Sequence, residues 1–331
     1  MQICMTKKIL WIYNIKVFGL LGILTFHFWP QESKIVFHAG SLSILKLPID
    51  NGFYGSFLFF IASGLGLTLS QNVRVSGLWS FLWSRFLRIY IPYWMTLITI
   101  ILLVRVGYDV YSTAIPDSIA LLSNLLLIQI DGVPKMQPHL WFLFCLIQMY
   151  FLFPLLYRLM YWSKNVGMMA VIVLFALRVL VPEVFPFSLF LWMVPFCFGM
   201  YIAFCMIADR EKTEGTLDKL FPVGIVVLLI GTIAYYQPRY SDISFLLITP
   251  GLMISVYKIA KYDWHCGWIN NIMYEIYLVH ITILALINYY LSGYSAPARY
   301  LPFLLGSLLA GTVLKFLHGN LMETVLYEKS T

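Results

Sequence analysis

Residues 14–28 read NIKVFGLLGILTFHF, an apolar stretch with Lys16 near one end and His27 near the other. The apolar run around it extends over residues 9–30, and about 20 such residues cross a bilayer. Lys7 and Lys8 precede the run, but no small-x-small cleavage site follows before Pro30, so it reads as a retained transmembrane helix and not a signal peptide. Lys16 and His27 are eleven residues apart. At 100° per residue that is about three turns, which leaves both on one face roughly 16 Å apart. A titratable side chain in hydrocarbon is costly, so each is paired, reaches an interface, or serves chemistry.

Working outward, the rest of the chain has the same character. Of 331 residues, 61% are hydrophobic and 11% charged, with a mean hydropathy of +0.83. That is far from a soluble domain and indicates an all-α integral membrane protein. The net charge of +7 sits in short loops between apolar runs, where it sets topology, and no nucleic-acid partner is expected. The five cysteines, Cys4, Cys145, Cys197, Cys205 and Cys266, form neither a disulfide framework nor a metal-ligand pattern, and no metal is expected.

About ten spans are expected, near residues 9–30, 52–70, 89–107, 140–161, 166–181, 187–207, 220–236, 243–259, 268–291 and 301–318. The segment Ser118–Ile130 is too short to cross and reads as interfacial or re-entrant. With the N-terminus inside, fourteen basic residues fall on the inner face and seven on the outer, and Lys16 within the first span completes the 22. This bias predicts both termini in the cytoplasm. One transmembrane domain over residues 1–331 is expected, with no appended soluble domain.

Several spans carry residues that apolar packing does not require. The second contains Ser63 and Gly64, small enough to let helices approach closely. Arg85 and Arg88 stand one turn apart at the inner mouth of the third, where they either anchor a helix end or clamp phosphate with their planar forks. His139 and Trp141 open the fourth at the outer level of His27, an ordinary place for an interfacial tryptophan. The ninth holds Glu275 in its inner half and His280 near mid-membrane. A lone carboxylate there calls for a cation, and Lys16 is at a similar depth.

Taken in order, these segments resemble the membrane-bound acyltransferase family 3, whose members O-acylate bacterial cell-surface sugars. The resemblance rests on Lys16 and His27, where the family has Arg and His at that spacing; on Phe59, Phe60, Ser63 and Gly64; on Arg85, Arg88 and Pro92; on Trp141 to Leu143 with Tyr150 and Pro154; and on Tyr277, Leu278 and His280. It covers the full length. Lysine at position 16 is a departure, since a point charge does not reproduce a bidentate guanidinium contact.

The resemblance implies transfer of an acyl group, usually acetyl, from cytoplasmic acyl-CoA to a hydroxyl of an extracytoplasmic or lipid-linked sugar of exopolysaccharide, capsule or O-antigen. It implies a multi-pass protein of the bacterial inner membrane, with acetyl-CoA as donor. The expected partners are a glycan acceptor, membrane lipid, and a second copy or polysaccharide-assembly proteins. The candidate catalytic residues are His27, as general base, and Lys16. Arg85, Arg88 and Ser63 are candidates for holding the acyl-CoA, and His139, Trp141, Glu275 and His280 for the acceptor. Histidine suits the base role because its pKa lies near 7. A flippase of lipid-linked saccharide, using His27, Glu275 and His280 as a proton relay, and an inactive scaffold of an assembly complex are the alternatives. Acyl-CoA binding that depends on Arg85 and Arg88 separates the first reading from these.

Overall fold

Backbone groups in hydrocarbon have no water to bond, so an apolar chain satisfies them within its own helices. The computed structural model describes residues 9–29, 50–70, 72–108, 118–127, 138–181 and 189–327, and among these every regular element is a helix. In chain order the helices are α1 (Leu10–Phe28), α2 (Gly55–Ser70), α3 (Asn72–Arg105), α4 (Ser118–Leu125), α5 (Trp141–Trp162), α6 (Lys164–Leu180), α7 (Leu189–Ala208), α8 (Arg210–Lys219), α9 (Phe221–Tyr235), α10 (Ser244–Ala260), α11 (Gly267–Asn270), α12 (Met273–Tyr290) and α13 (Ala296–Tyr327). Short 3₁₀ turns at Gly52–Tyr54 and Pro138–Leu140 lead into α2 and α5. Cys4, Lys7, Lys8, Lys34, Lys46, Lys135, Lys329 and the last three residues of Ser118–Ile130 lie outside the described residues.

Each of the ten expected spans contains a helix, and among the described residues six helices are long and apolar enough to cross a membrane. These run over Leu10–Phe28, Gly52–Ser70, Gly77–Arg105, Trp141–Trp162, Leu189–Ala208 and Ala296–Gly319. A seventh arises if α8 and α9, bent by 62° at their junction, form one broken span. The other expected spans fall short for physical reasons. α6, α9 and α10 have 17, 15 and 17 residues, which at 1.5 Å per residue gives about 22–26 Å against a hydrocarbon core of about 30 Å. α12 carries Glu275, His280 and Asn288, which lower its hydropathy. α4 has only eight residues, in keeping with a segment that does not cross.

Two compact units emerge, interleaved along the chain. The first comprises Met1–Gly19, Phe53–Leu82 and Cys145–Gly267, the second Leu20–Gly52, Trp83–Phe144 and Trp268–Thr331. In the first, Ile15, Ile61, Ala62, Leu65, Ala203, Met253 and Ala260 are buried in one apolar core. α2 and α7 approach so closely that a Cβ on Gly64 would lie 2.0 Å from the Phe196 carbonyl oxygen, and one on Gly199 would lie 2.0 Å from that of Ile61. Glycine at both positions is therefore a packing requirement, and Gly64 takes the helix-contact role open to it from sequence. Asn14 of α1, 5% exposed, donates from Nδ2 to the carbonyls of Ala260 (2.7 Å) and Tyr262 (2.8 Å), satisfying the end of α10.

In the second unit α3 supplies a row of donors. Tyr90 and Trp94 bond the carbonyls of Leu126 (3.0 Å) and Leu125 (2.9 Å), and the Tyr93 hydroxyl bonds that of Asn124. Together they satisfy the C-terminal carbonyls of α4, which would otherwise be orphaned. α3 itself breaks at Gly77, whose φ of 72° and ψ of 161° a side chain would resist.

Candidate active site

The second unit gathers three histidines from three separate places in the chain. His27 closes α1, His139 sits in the 3₁₀ turn before α5, and His280 lies near the middle of α12. The His280 ring centroid is 5.1 Å from that of His27 and 5.1 Å from that of His139, and His27 and His139 are 6.2 Å apart. Exposure grades them: His27 is half-buried, His139 is 7% exposed and His280 is 0% exposed.

Packing fixes each member. Thr25 donates its hydroxyl to the Leu21 carbonyl (2.7 Å), so in its 2.7 Å contact with Tyr300 the tyrosine is the donor. Phe28 stacks on Phe303 at 5.3 Å, and together these contacts fasten the end of α1 to α13. Tyr277 acts twice. Its hydroxyl donates to the His139 carbonyl at 2.6 Å, and its own carbonyl lies 2.6 Å from His280 Nδ1. A carbonyl only accepts, so His280 Nδ1 carries the hydrogen and Nε2 holds the lone pair. That Nε2 is buried and has no hydrogen-bond partner among the described residues.

The helix α12 also leads away from this cluster. Tyr274, one turn before Tyr277, donates its hydroxyl to the Ile89 carbonyl at 2.9 Å, next in sequence to Arg88. Arg85 is half-buried and Arg88 exposed. Tyr274, Tyr277 and His280 follow at three-residue spacing, a rise of about 9 Å from the Ile89 level to the histidines. Trp141 opens α5 half-buried, with its ring edge-on to Phe142, which in turn meets Tyr277.

Glu275, 3% exposed, accepts from His318 Nε2 at 2.6 Å and faces Lys315 Nζ at 3.4 Å, both on α13. Within this unit the buried carboxylate is thus matched by His318 and Lys315. Lys16 and Ser63, both half-buried, belong to the first unit. Sequence reasoning passed over His318, although a histidine three residues after a lysine in an otherwise apolar helix was a usable signal. It also passed over Tyr300 and gave Tyr277 no role, because a tyrosine's bonding partners are set by tertiary contact. Among the described residues no group of three or more His, Cys, Asp or Glu is spaced to hold a metal ion.

A family model of the acyltransferase domain matches residues 9–316, nearly the whole chain. No curated protein and no solved structure matches it. On the family match and its apolar helices, the chain is a membrane acyltransferase belonging to the acyltransferase 3 family.

Proposed function

We propose that the protein transfers an acetyl group from acetyl-CoA, arriving from the cytoplasm, to a hydroxyl of an extracytoplasmic or lipid-linked sugar, with His27 as general base. The proposed setting is the bacterial cytoplasmic membrane, with both termini inside. The observation that carries this reading is the buried His27–His139–His280 cluster, in which His27 is the member open enough to meet a substrate.

His27 takes the proton of the sugar hydroxyl as that oxygen bonds the thioester carbonyl carbon. The carbon–sulfur bond breaks, and His27 returns the proton to the departing thiolate, so that an ester and a free CoA thiol leave the site. Direct transfer is favoured because no serine or cysteine stands in a recognisable elbow motif. Arg85 and Arg88 are suited to the CoA phosphates through their forked donors. The Tyr274–Tyr277–His280 face of α12 supports a path from their level to His27 for the thioester on its long arm.

Membranes carrying the protein, labelled acetyl-CoA and surface glycan test the reading. His27→Gln is expected to cut transfer by roughly 10²–10⁴-fold while acetyl-CoA binding persists. Arg85→Gln with Arg88→Gln is expected to weaken that binding, each charge-assisted bond contributing about 1.5–3 kcal/mol. Transfer by His27→Gln at the parent rate would overturn the mechanism. NMR of surface glycan from strains with and without the gene identifies the sugar and the acyl group.

A further inference from the structure

His280 has one ring nitrogen committed to the main chain and the other buried with no hydrogen-bond partner among the described residues, and its ring lies nearer to that of His27 than the His139 ring does, 5.1 against 6.2 Å. Its Nδ1–H is spent on the Tyr277 carbonyl at 2.6 Å, so Nε2 is locked as an acceptor. A buried acceptor of this kind costs free energy unless a donor reaches it. His280 is 0% exposed, so a substrate hydroxyl meets the half-buried His27 first. The His27 ring, 5.1 Å away centroid to centroid, carries a ring N–H that fits the requirement. Catalytic hydrogen bonds that are long in a free enzyme commonly tighten when substrate arrives.

We propose that His280 is a positioning residue for His27: its Nε2 accepts the His27 ring N–H and so holds the other His27 nitrogen as the lone pair facing the acceptor hydroxyl. This deepens the acyl-transfer reading and rests on it for its catalytic consequence. Chemically it is the arrangement in which a base is oriented by a third group, with an imidazole in place of the usual carboxylate. Because that partner is neutral, it fixes the tautomer and ring plane of His27 without adding a buried charge. Tyr277 supports the pair from behind by setting the His280 tautomer through its carbonyl and holding the His139 turn through its hydroxyl.

The test uses the full-length protein in detergent or membranes, with His280→Phe and His280→Gln beside the parent. His280→Phe removes the acceptor; His280→Gln keeps an amide oxygen able to accept from His27. Phenylalanine is expected to lower kcat about 100-fold, the lower end of a base's contribution, with KM for acetyl-CoA unchanged and the acid limb of the pH–rate profile moved. Glutamine is expected to recover a large part of kcat. Independently, the ¹⁵N resonances of the His27 ring should shift in His280→Phe with no substrate present. If those resonances move but no glycan is acetylated even by the parent, the acyl-transfer reading fails while the His27–His280 pairing stands. A folded His280→Phe with unchanged His27 resonances and an unchanged pH profile would overturn the proposal.

Discussion

Glu275 Oε1 and His318 Nε2 meet at 2.6 Å between α12 and α13, both side chains less than a tenth exposed, so an ionisable pair is sealed inside the apolar second unit. Breaking a buried pair leaves one polar partner desolvated, which costs about 3–5 kcal/mol. His318→Leu and Glu275→Leu should each lower thermal stability by that order, and the double variant by less than their sum. Lys315, 44% exposed, should matter less. A double-mutant cycle by thermal denaturation decides this: additive losses would show that the two residues are not energetically coupled.

The close approach of α2 and α7 makes a sharper prediction. Gly64→Ala or Gly199→Ala puts a methyl 2.0 Å from a main-chain oxygen, which rotamer changes cannot relieve. Each should destabilise by about 3 kcal/mol or more, as overpacking against backbone does. Gly66→Ala, on the same helix with nothing within 4 Å, should be tolerated. Yield of monodisperse protein after extraction separates these outcomes.

Asn14 lies in the stretch that first marked the chain as membrane-spanning, yet its amide bonds two carbonyls at the end of α10. Asn14→Leu keeps the volume and removes the donors, so it should cost about 1–3 kcal/mol for the carbonyls left without partners. Faster hydrogen exchange at the C-terminal turn of α10 would locate the effect.

At the polar helix α8, which carries six charged residues in ten, Asp218 takes Lys261 Nζ at 2.7 Å and Lys258 Nζ at 2.9 Å. These hydrogen bonds, that of Lys261 foremost, hold the Asp218 carboxyl below its ordinary value. A depressed carboxyl pKa contributes stability above its unfolded value and loses it as pH falls through the folded one. The acid limb of a melting-temperature profile below about pH 4 should therefore be shallower in Asp218→Asn than in the parent.

Much of the fold was legible in the sequence. The apolar runs set where helices form, since a backbone in hydrocarbon must bond itself, and the excess of charge in short loops marked what lies between them. Of the ten expected spans, six contain a helix long and apolar enough to cross among the described residues, because hydropathy does not weigh a 15-residue helix against a slab of about 30 Å, nor a helix whose polar residues serve its neighbours.

The candidate site divides in the same way. His27, His139 and His280 were each visible as histidines in apolar surroundings, and the family resemblance ordered them. Their meeting was not visible, because 112 residues separate the first from the second and 141 the second from the third, and no local rule spans such distances. Depth along a helix suggested a cation for Glu275, but depth says nothing about azimuth, and it is the facing of α12 and α13 that brings the carboxylate to His318 and Lys315. The sequence by itself determined a helical membrane chain of the acyltransferase 3 kind, because hydropathy and motif spacing are properties of the chain. Tertiary structure alone decided which nitrogen of His280 is open, which residue neutralises Glu275 and why Gly64 must be glycine, because each depends on how one helix face is turned towards another.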